Sequence, residues 1–253
     1  MDTKNDENTA DRGSYLGYVM SLLPELIVAF SGGKDSTAMA LHLAELGEPF
    51  RMLHTATGNE LPDVRVHIDR VVRECGCELI DLKAPTLGEL IHKQRMIPNW
   101  WARWCTRMIK IEPCVKWIAS HPRIRLAVGL RADEEGRAGG TYKCEVVYPL
   151  RDWGWDIDDV TEYCAEAGYS PPRRTDCAVC FYQTLHEWHV LWSEYPDEYA
   201  QGEAWEKLCG HTFRSPQRDS HPAALRELRL EFEAGYAPKA RKKRGRMCRI
   251  CSM

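Results

Sequence analysis

The chain has 253 residues, enough to bury a core without disulfide staples, and its 44% hydrophobic and 28% charged residues are ordinary for a globular protein. A formal net charge of −3 argues against wholesale electrostatic binding of nucleic acid, although a local basic patch stays open. No apolar stretch is long enough to cross a bilayer, and Met1 to Gly13 is polar with no apolar run, so the expectation is a cytoplasmic protein without a secretory leader. Eleven cysteines in such a chain serve metals or chemistry more readily than disulfides.

In chain order, residues 1–13 read as disordered and Tyr15 to Leu23 as a short leading helix. Leu26 to Phe30 is a continuous apolar run, the mark of a strand buried on both faces. A Gly-rich turn follows, then Thr37 to Leu46 in helical period, stopped by Gly47. Phe50 to Thr55 is a second strand, Asp63 to Cys75 a helix ending at Gly76, Cys77 to Leu82 a third strand and Leu87 to Met96 a helix. Trp104 to Ser120 predicts a longer helix, kinked or broken at Pro113. Ile124 to Leu130 is the next strand. Alternation of strands and helices predicts an α/β fold with a doubly wound parallel sheet, whose ligands sit at the C-terminal strand ends. After Pro149 the character changes. Trp153 to Gly168 holds one helix, and from Pro171 onward there are helical pieces, two Cys-x-x-Cys pairs and a basic stretch, with little strand. The expected division is residues 14–150 as the sheet domain and 151–253 as a helical, cysteine-rich, metal-stabilised extension.

Ser31-Gly32-Gly33-Lys34-Asp35-Ser36 follows the first buried strand and opens a helix. Successive backbone N–H groups in such a turn make an anion-binding concavity, to which the helix dipole adds. Gly32 and Gly33 allow positive φ and close approach to phosphates, Lys34 supplies counter-charge, Asp35 is a Mg²⁺ ligand, and Ser31 and Ser36 offer hydroxyls.

This hexapeptide resembles the PP-loop of the N-type ATP pyrophosphatases, the adenine-nucleotide α-hydrolase-like superfamily, which implies a HUP-like doubly wound sheet, ATP and Mg²⁺ as ligands, and cleavage at the α–β bond. Further segments resemble the phosphoadenylylsulfate (PAPS) reductase-like branch. His54 to Pro62, with Thr57, Gly58 and Glu60, looks like that branch's strand-end segment beside the nucleotide. Arg103-Trp104-Cys105-Thr106 with Lys110 and Pro113, Gly129 to Glu134 with Arg131 and Arg137, and Tyr148 to Trp153 are similar to its remaining elements. The resemblance runs from about residue 24 to residue 190. Two departures stand out. PAPS reductases bind the nucleotide without splitting it and have lost the Lys-Asp pair kept here as Lys34-Asp35. They also end in a Glu-Cys-Gly-x-His segment that this C-terminus lacks. The chain is therefore more similar to PP-loop enzymes that adenylate a substrate and then transfer sulfur. In that reading Lys34 and Arg131 stabilise phosphate charge, and ATP and a sulfur-donor protein are partners. Two other readings remain: a PAPS or adenylylsulfate reductase, and a non-catalytic nucleotide-binding or redox protein. Relatives also imply a homodimer.

Cys177-x-x-Cys180 and Cys248-x-x-Cys251 each point two thiolates at one metal, and spacing alone does not choose between zinc and an iron–sulfur cluster. The resemblance favours [4Fe–4S]. Cys105 competes as an alternative ligand, or as a sulfur carrier whose pKa Arg103 or Arg107 would lower. Cys75, Cys114, Cys144 and Cys164 read as apolar fillers. Trp100, Trp101 and Trp104 read as core packing ahead of a base-stacking surface. Residues 239–246, from Lys239 to Arg246, form a basic tail that could hold a phosphate backbone. His186 and His189 read as satisfied histidines.

Overall fold

The computed structural model describes residues 23–134, 136 and 142–240. The expectations for residues 1–13, for Tyr15 to Leu22, for Arg137, for Cys248 and Cys251, and for the basic tail beyond residue 240 lie outside the described residues.

Strands β1 (Glu25–Ala29), β2 (Phe50–His54), β3 (Leu79–Asp81), β4 (Ile124–Ala127) and β5 (Glu145–Val147) form one sheet in the order β3-β2-β1-β4-β5. Every pairing is parallel, with Leu26 opposite Phe50 on one side and Arg125 on the other. The doubly wound parallel sheet expected from the sequence is present. Along β1, Leu26 and Val28 enter one apolar cluster while Ile27 joins Leu53, Leu126 and Leu130 in a second. Side chains alternate across a strand, so both faces are covered, as the continuous apolar run required. β5 has no counterpart in the sequence reading, because three residues beginning with an exposed Glu145 carry neither length nor alternation.

Helices α1 (Lys34–Glu45), α2 (Pro62–Cys75), α3 (Leu87–Gln94), α4 (Glu112–Ala119), α5 (Pro149–Asp152) and α6 (Ile157–Glu166) surround the sheet. The helix expected over Trp104 to Ser120 is present and continuous to Ala119, with a π-helical stretch at Thr106–Ile111 running into α4 and Pro113 in the first turn of α4. Pro113 has no N–H to donate backwards, so the ladder changes register there. Helices α7 (Leu185–Glu194), α8 (Pro196–Cys209) and α9 (Leu225–Glu233) make the C-terminal part, which is helical as expected. α3 and α7 begin with full capping boxes, Thr86 with Glu89 and Thr184 with Glu187, and α6 with Asp156 and Asp159. Such caps stabilise a helix start by about 1 kcal/mol each. One apolar cluster runs from Leu26 in β1 to Trp188, Tyr199 and Phe232 in the C-terminal helices, so the two parts share a core.

α2 is fastened to α1 by one buried polar contact. Thr37 Oγ1 lies 3.0 Å from His67 Nε2, and both residues are buried. Burial, then the charge of Arg70, holds the imidazole below its ordinary 6.5. The folded chain thus refuses a proton that the unfolded chain accepts. The stability this contributes is present above pH 6.5 and is lost as pH falls through the depressed folded value. Resistance of the wild type to denaturant should therefore fall as pH drops below 6.5. His67→Gln, which keeps a hydrogen-bonding group without the titration, should flatten that decline.

Candidate active site

The phosphate-loop candidate lies where the order of strands reverses, between β1 and its two neighbours β2 and β4. The chain leaves β1 at Phe30 and turns back into α1. Gly32 takes φ 72°, and a Cβ there would press within 3.0 Å of Ile68 Cγ1, so position and packing both demand glycine. The turn is braced from within: Ser31 Oγ accepts from the Gly33 N–H at 3.3 Å, and Ser36 Oγ donates to the Gly33 carbonyl at 3.0 Å. No side chain caps α1. Its first-turn N–H groups therefore end in a short uncapped concavity at the C-terminal edge of the sheet, which suits an anion.

Charge around this turn is organised by Arg131. It is fully buried, and its Nη1 reaches Asp35 Oδ2 at 2.9 Å while Nε and Nη2 reach Asp133 at 2.8 and 3.1 Å. Glu134 stands 3.7 Å from Nη2, and one of its oxygens accepts from the Arg131 N–H at 3.2 Å. Burial disfavours the charge, but the Asp133 hydrogen bond and the nearby carboxylates of Asp35 and Glu134 outweigh it and hold the guanidinium above its ordinary range. Arg131 thus meets the loop through Asp35. On the other side Lys34 Nζ pairs with Asp35 Oδ1 at 2.7 Å, with a third of its side chain exposed.

Beyond β2, Glu60 accepts from the Thr57 N–H, and Gly58 takes φ 69° where a Cβ would collide with Thr86 Cγ2 at 2.5 Å. This segment receives the loop that carries the first Cys-x-x-Cys pair. Asn59 accepts from Ala178 N–H through its carbonyl and from Val179 N–H through Oδ1 at 3.0 Å. Cys177 Sγ donates to Thr57 Oγ1 at 3.3 Å. Arg174 donates to the Cys177 carbonyl at 3.2 Å and stands 3.6 and 3.5 Å from Asp176 and Glu187. Next to Arg174, Thr175 lies so close to the phosphate turn that a Cβ on Gly33 would meet its Oγ1 at 3.3 Å. Asn59, Arg174 and Thr175 were not found by the sequence reading. Their only signal was membership of segments named for other residues.

Cys105, Cys177 and Cys180 line one cavity of about 40 Å³, together with Thr57, Arg103 and Lys110. Cys105 sits at the head of the π-helical turn, which also supplies Thr106, Ile109 and Lys110 to the same wall. The structure corrects one expectation. Arg103 and Lys110 do pull the Cys105 thiol down, but burial outweighs them and pushes it up, so Cys105 as a bare thiol is not activated. Burial likewise raises Cys180 and pushes Cys177 up to about 12. Among the described residues no group of three His, Cys, Asp or Glu is gathered so as to hold a metal ion. Three cysteines, the donor type that thiolate-bound metals take, nonetheless share a cavity that Arg103, Lys110 and Asp176 also line. Cys164 is buried in the core and donates to the Lys34 carbonyl at 3.7 Å, while Cys75, Cys114 and Cys144 are half-buried. Trp104 is buried as expected, whereas Trp100 and Trp101 are 61% and 94% exposed. His186 Nδ1 meets the Pro238 carbonyl at 3.0 Å, and His189 packs against the rings of Trp192 and Phe232. No described helix is long and apolar enough to cross a membrane.

The family described as phosphoadenosine phosphosulfate reductase domain matches residues 25–168, from β1 through α6. The chain belongs to that family. Its nucleotide-binding PP-loop character agrees with the position of the Ser31–Ser36 turn. An uncharacterised protein of Methanocaldococcus jannaschii is 27% identical over 216 residues, 72% of this chain and 44% of that protein. Sulfate adenylyltransferase subunit 2 of Streptomyces lavendulae is 33% identical over 141 residues, 51% of this chain and 40% of that protein. The chain thus spans less than half the length of these curated relatives. Among solved structures, a PAPS reductase from Candida auris in a phosphate complex has a TM-score of 0.49 at 14% identity, covering 68% of this chain and 91% of that one.

If Arg131 anchors the loop, Arg131→Met takes the buried guanidinium away from Asp35, Asp133 and Glu134 and leaves Asp35 with Lys34. Removing one member of a buried pair costs about 3–5 kcal/mol. Urea unfolding should show a loss of that order, and a loss below about 1 kcal/mol, the scale of an exposed pair, would reject the anchor.

Proposed function

We propose that this chain is an ATP-dependent PP-loop enzyme that adenylates a substrate oxygen, releases pyrophosphate and prepares the activated position for sulfur transfer, with a nucleotide or nucleic acid as substrate. The observation that carries the reading is that an intact Lys34-Asp35 phosphate turn, uncapped at the start of α1, adjoins through Thr175 the loop bearing the buried thiols. The Streptomyces relative, named for adenylyl transfer, supports the first half of that chemistry.

In this reading the triphosphate lies along the α1 N-terminus. The Lys34 ammonium, one-third exposed, leaves Asp35 for a phosphate oxygen. Asp35 keeps Arg131, and its other carboxylate oxygen would hold Mg²⁺, which would supply charge to the phosphates when bound. A carbonyl or phosphoryl oxygen of the substrate attacks the α-phosphorus. The α–β bridging bond breaks, pyrophosphate departs, and the substrate oxygen is left as part of an AMP leaving group. A sulfur nucleophile then takes the substrate centre and AMP departs with the former substrate oxygen. Arg131 acts here as a positioning residue for Asp35, because its own donors face carboxylates.

Cys105, Cys177 and Cys180 would hold the sulfur-ligated metal group, with Cys248 or Cys251 as the remaining candidate. A [4Fe–4S] cluster bound there would supply a sulfur- or electron-handling centre beside the activated substrate, and zinc would supply a structural clamp. The raised thiols mean that loading must expel protons.

The decisive assay is pyrophosphate release from ATP and Mg²⁺. Lys34→Ala should lower it by about 10²–10³-fold, the scale of one lost electrostatic contact to a developing charge. Sulfite formed from PAPS with a thiol donor, with ATP untouched, would transfer the assignment to a reductase, the second reading that the family match supports. Anaerobic purification should give bound iron or zinc. Cys105→Ser and Cys177→Ser should each lower the metal content and the pH dependence of loading, and unchanged metal in both would remove these residues from the site.

A further inference from the structure

Beside the thiol cavity lies a much larger one that the phosphate turn does not use. It measures about 820 Å³, in the range of small-molecule sites. Its walls come from the segment between α3 and the π-helical turn, from the two residues after Cys180, and from the segment after α8. Phe181 and Tyr182 line both cavities, so one shared wall separates the large one from the cavity of Cys105, Cys177 and Cys180.

Trp100, Trp101, Phe181, Tyr182 and Phe213 give it an aromatic side. Asn99 Oδ1 accepts from the N–H groups of Trp101 and Ala102 at 2.9 Å each, which fixes the turn from which both indoles project. Trp100 meets Tyr182 edge-on at 4.7 Å between centroids, yet most of its surface stays in solvent, and Trp101 is almost wholly exposed. The charge is of one sign. Arg214, Arg218 and His211 line the cavity, and none of its described lining residues is a carboxylate. Arg218 is positioned by donating to the Phe181 carbonyl at 3.0 Å. Arg214 is 1% exposed and its Nη2 pairs with Asp219 at 2.7 Å, but its buried Nε has no hydrogen-bond partner. Arg214 therefore places its charge just behind the cavity wall, while Arg218 and His211 stand at the more open rim.

We infer that this cavity is the substrate-recognition site and that it takes an unpaired base of a single-stranded nucleic acid, the base stacking on Trp100 and Trp101 with flanking phosphates at Arg214, Arg218 and His211. The inference rests on the sulfur-transfer reading above and names its substrate class. Exposed aromatic planes with a cationic rim are the means by which single strands are held: every base has a π-face, and phosphates need neutralising. A paired base has both faces covered by its neighbours, so a duplex does not fit this chemistry. An acidic peptide would satisfy the cations but would leave the indole faces in water. The position beside the shared Phe181–Tyr182 wall places the bound nucleotide next to the thiols that serve the transfer.

The test is fluorescence anisotropy of the full chain with a labelled single strand of about a dozen nucleotides, a length on the scale of one single-strand site. Binding is measured without ATP, so an inert phosphate turn, scored by pyrophosphate release, and an unused groove give separate results. The single strand should bind more tightly than the matching duplex and than poly-glutamate. Trp101→Ala, at a site too exposed to disturb folding, should weaken it by about fivefold or more, and Trp100→Ala with Trp101→Ala by more than either alone. Arg218→Ala should reduce the slope of log affinity against log salt by roughly one ion. No binding, equal binding of duplex or poly-glutamate, or binding indifferent to both tryptophans would overturn the assignment.

Discussion

A fully buried guanidinium must be surrounded by anions, and Arg131 is surrounded by three. Two of them, Asp133 and Glu134, follow β4, and the third, Asp35, opens α1 after β1. The network therefore ties together the two loops that flank the reversal of strand order, where a doubly wound sheet leaves its ligand crevice. Asp35 is held from behind by Arg131 and from the front by Lys34. Lys34, partly exposed, is the outermost member of this chain of charges and is the one that our proposal moves toward a phosphate.

The same edge of the sheet receives a second element by a different force. The Cys177–Cys180 loop is docked by backbone hydrogen bonds to Asn59, a thiol contact to Thr57 and the half-hidden cation Arg174. The shared apolar core beneath it, with Trp188, Tyr199 and Phe213 fully buried, makes this docking rigid. In a dry setting the thiols resist ionisation, while the neighbouring cations favour a bound anionic group. That opposition suits a site made for thiolate ligation more than one made for a free nucleophile, and it is why Cys105 takes the role of ligand in our reading.

The sheet was readable because its rules are local. Leu26 to Phe30 had to be buried on both faces, Gly32 had to follow it, and Gly76 had to end a helix. Where propensity was ambiguous the reading slipped. The helix over Trp104 to Ala119 stays continuous, but its hydrogen-bond ladder widens into a π-turn ahead of Pro113, from which Lys110 lines the thiol cavity. β5 was invisible because three residues hold no period. The three tryptophans before Cys105 looked alike, yet Trp104 is core and the other two are surface. One-dimensional spacing does not say which side of a turn will meet another element.

The amino-acid sequence by itself determined the parallel sheet, the phosphate turn after β1, and the membership of Cys177 and Cys180 in one pair, since each depends on residues near one another in the chain. The tertiary structure decided three things. It brought Cys105 to that pair, set Arg131 against Asp35, and opened a cationic aromatic cavity beside the thiols. All three arise from contacts between segments distant in sequence, where packing and charge compensation, rather than local pattern, choose the partner.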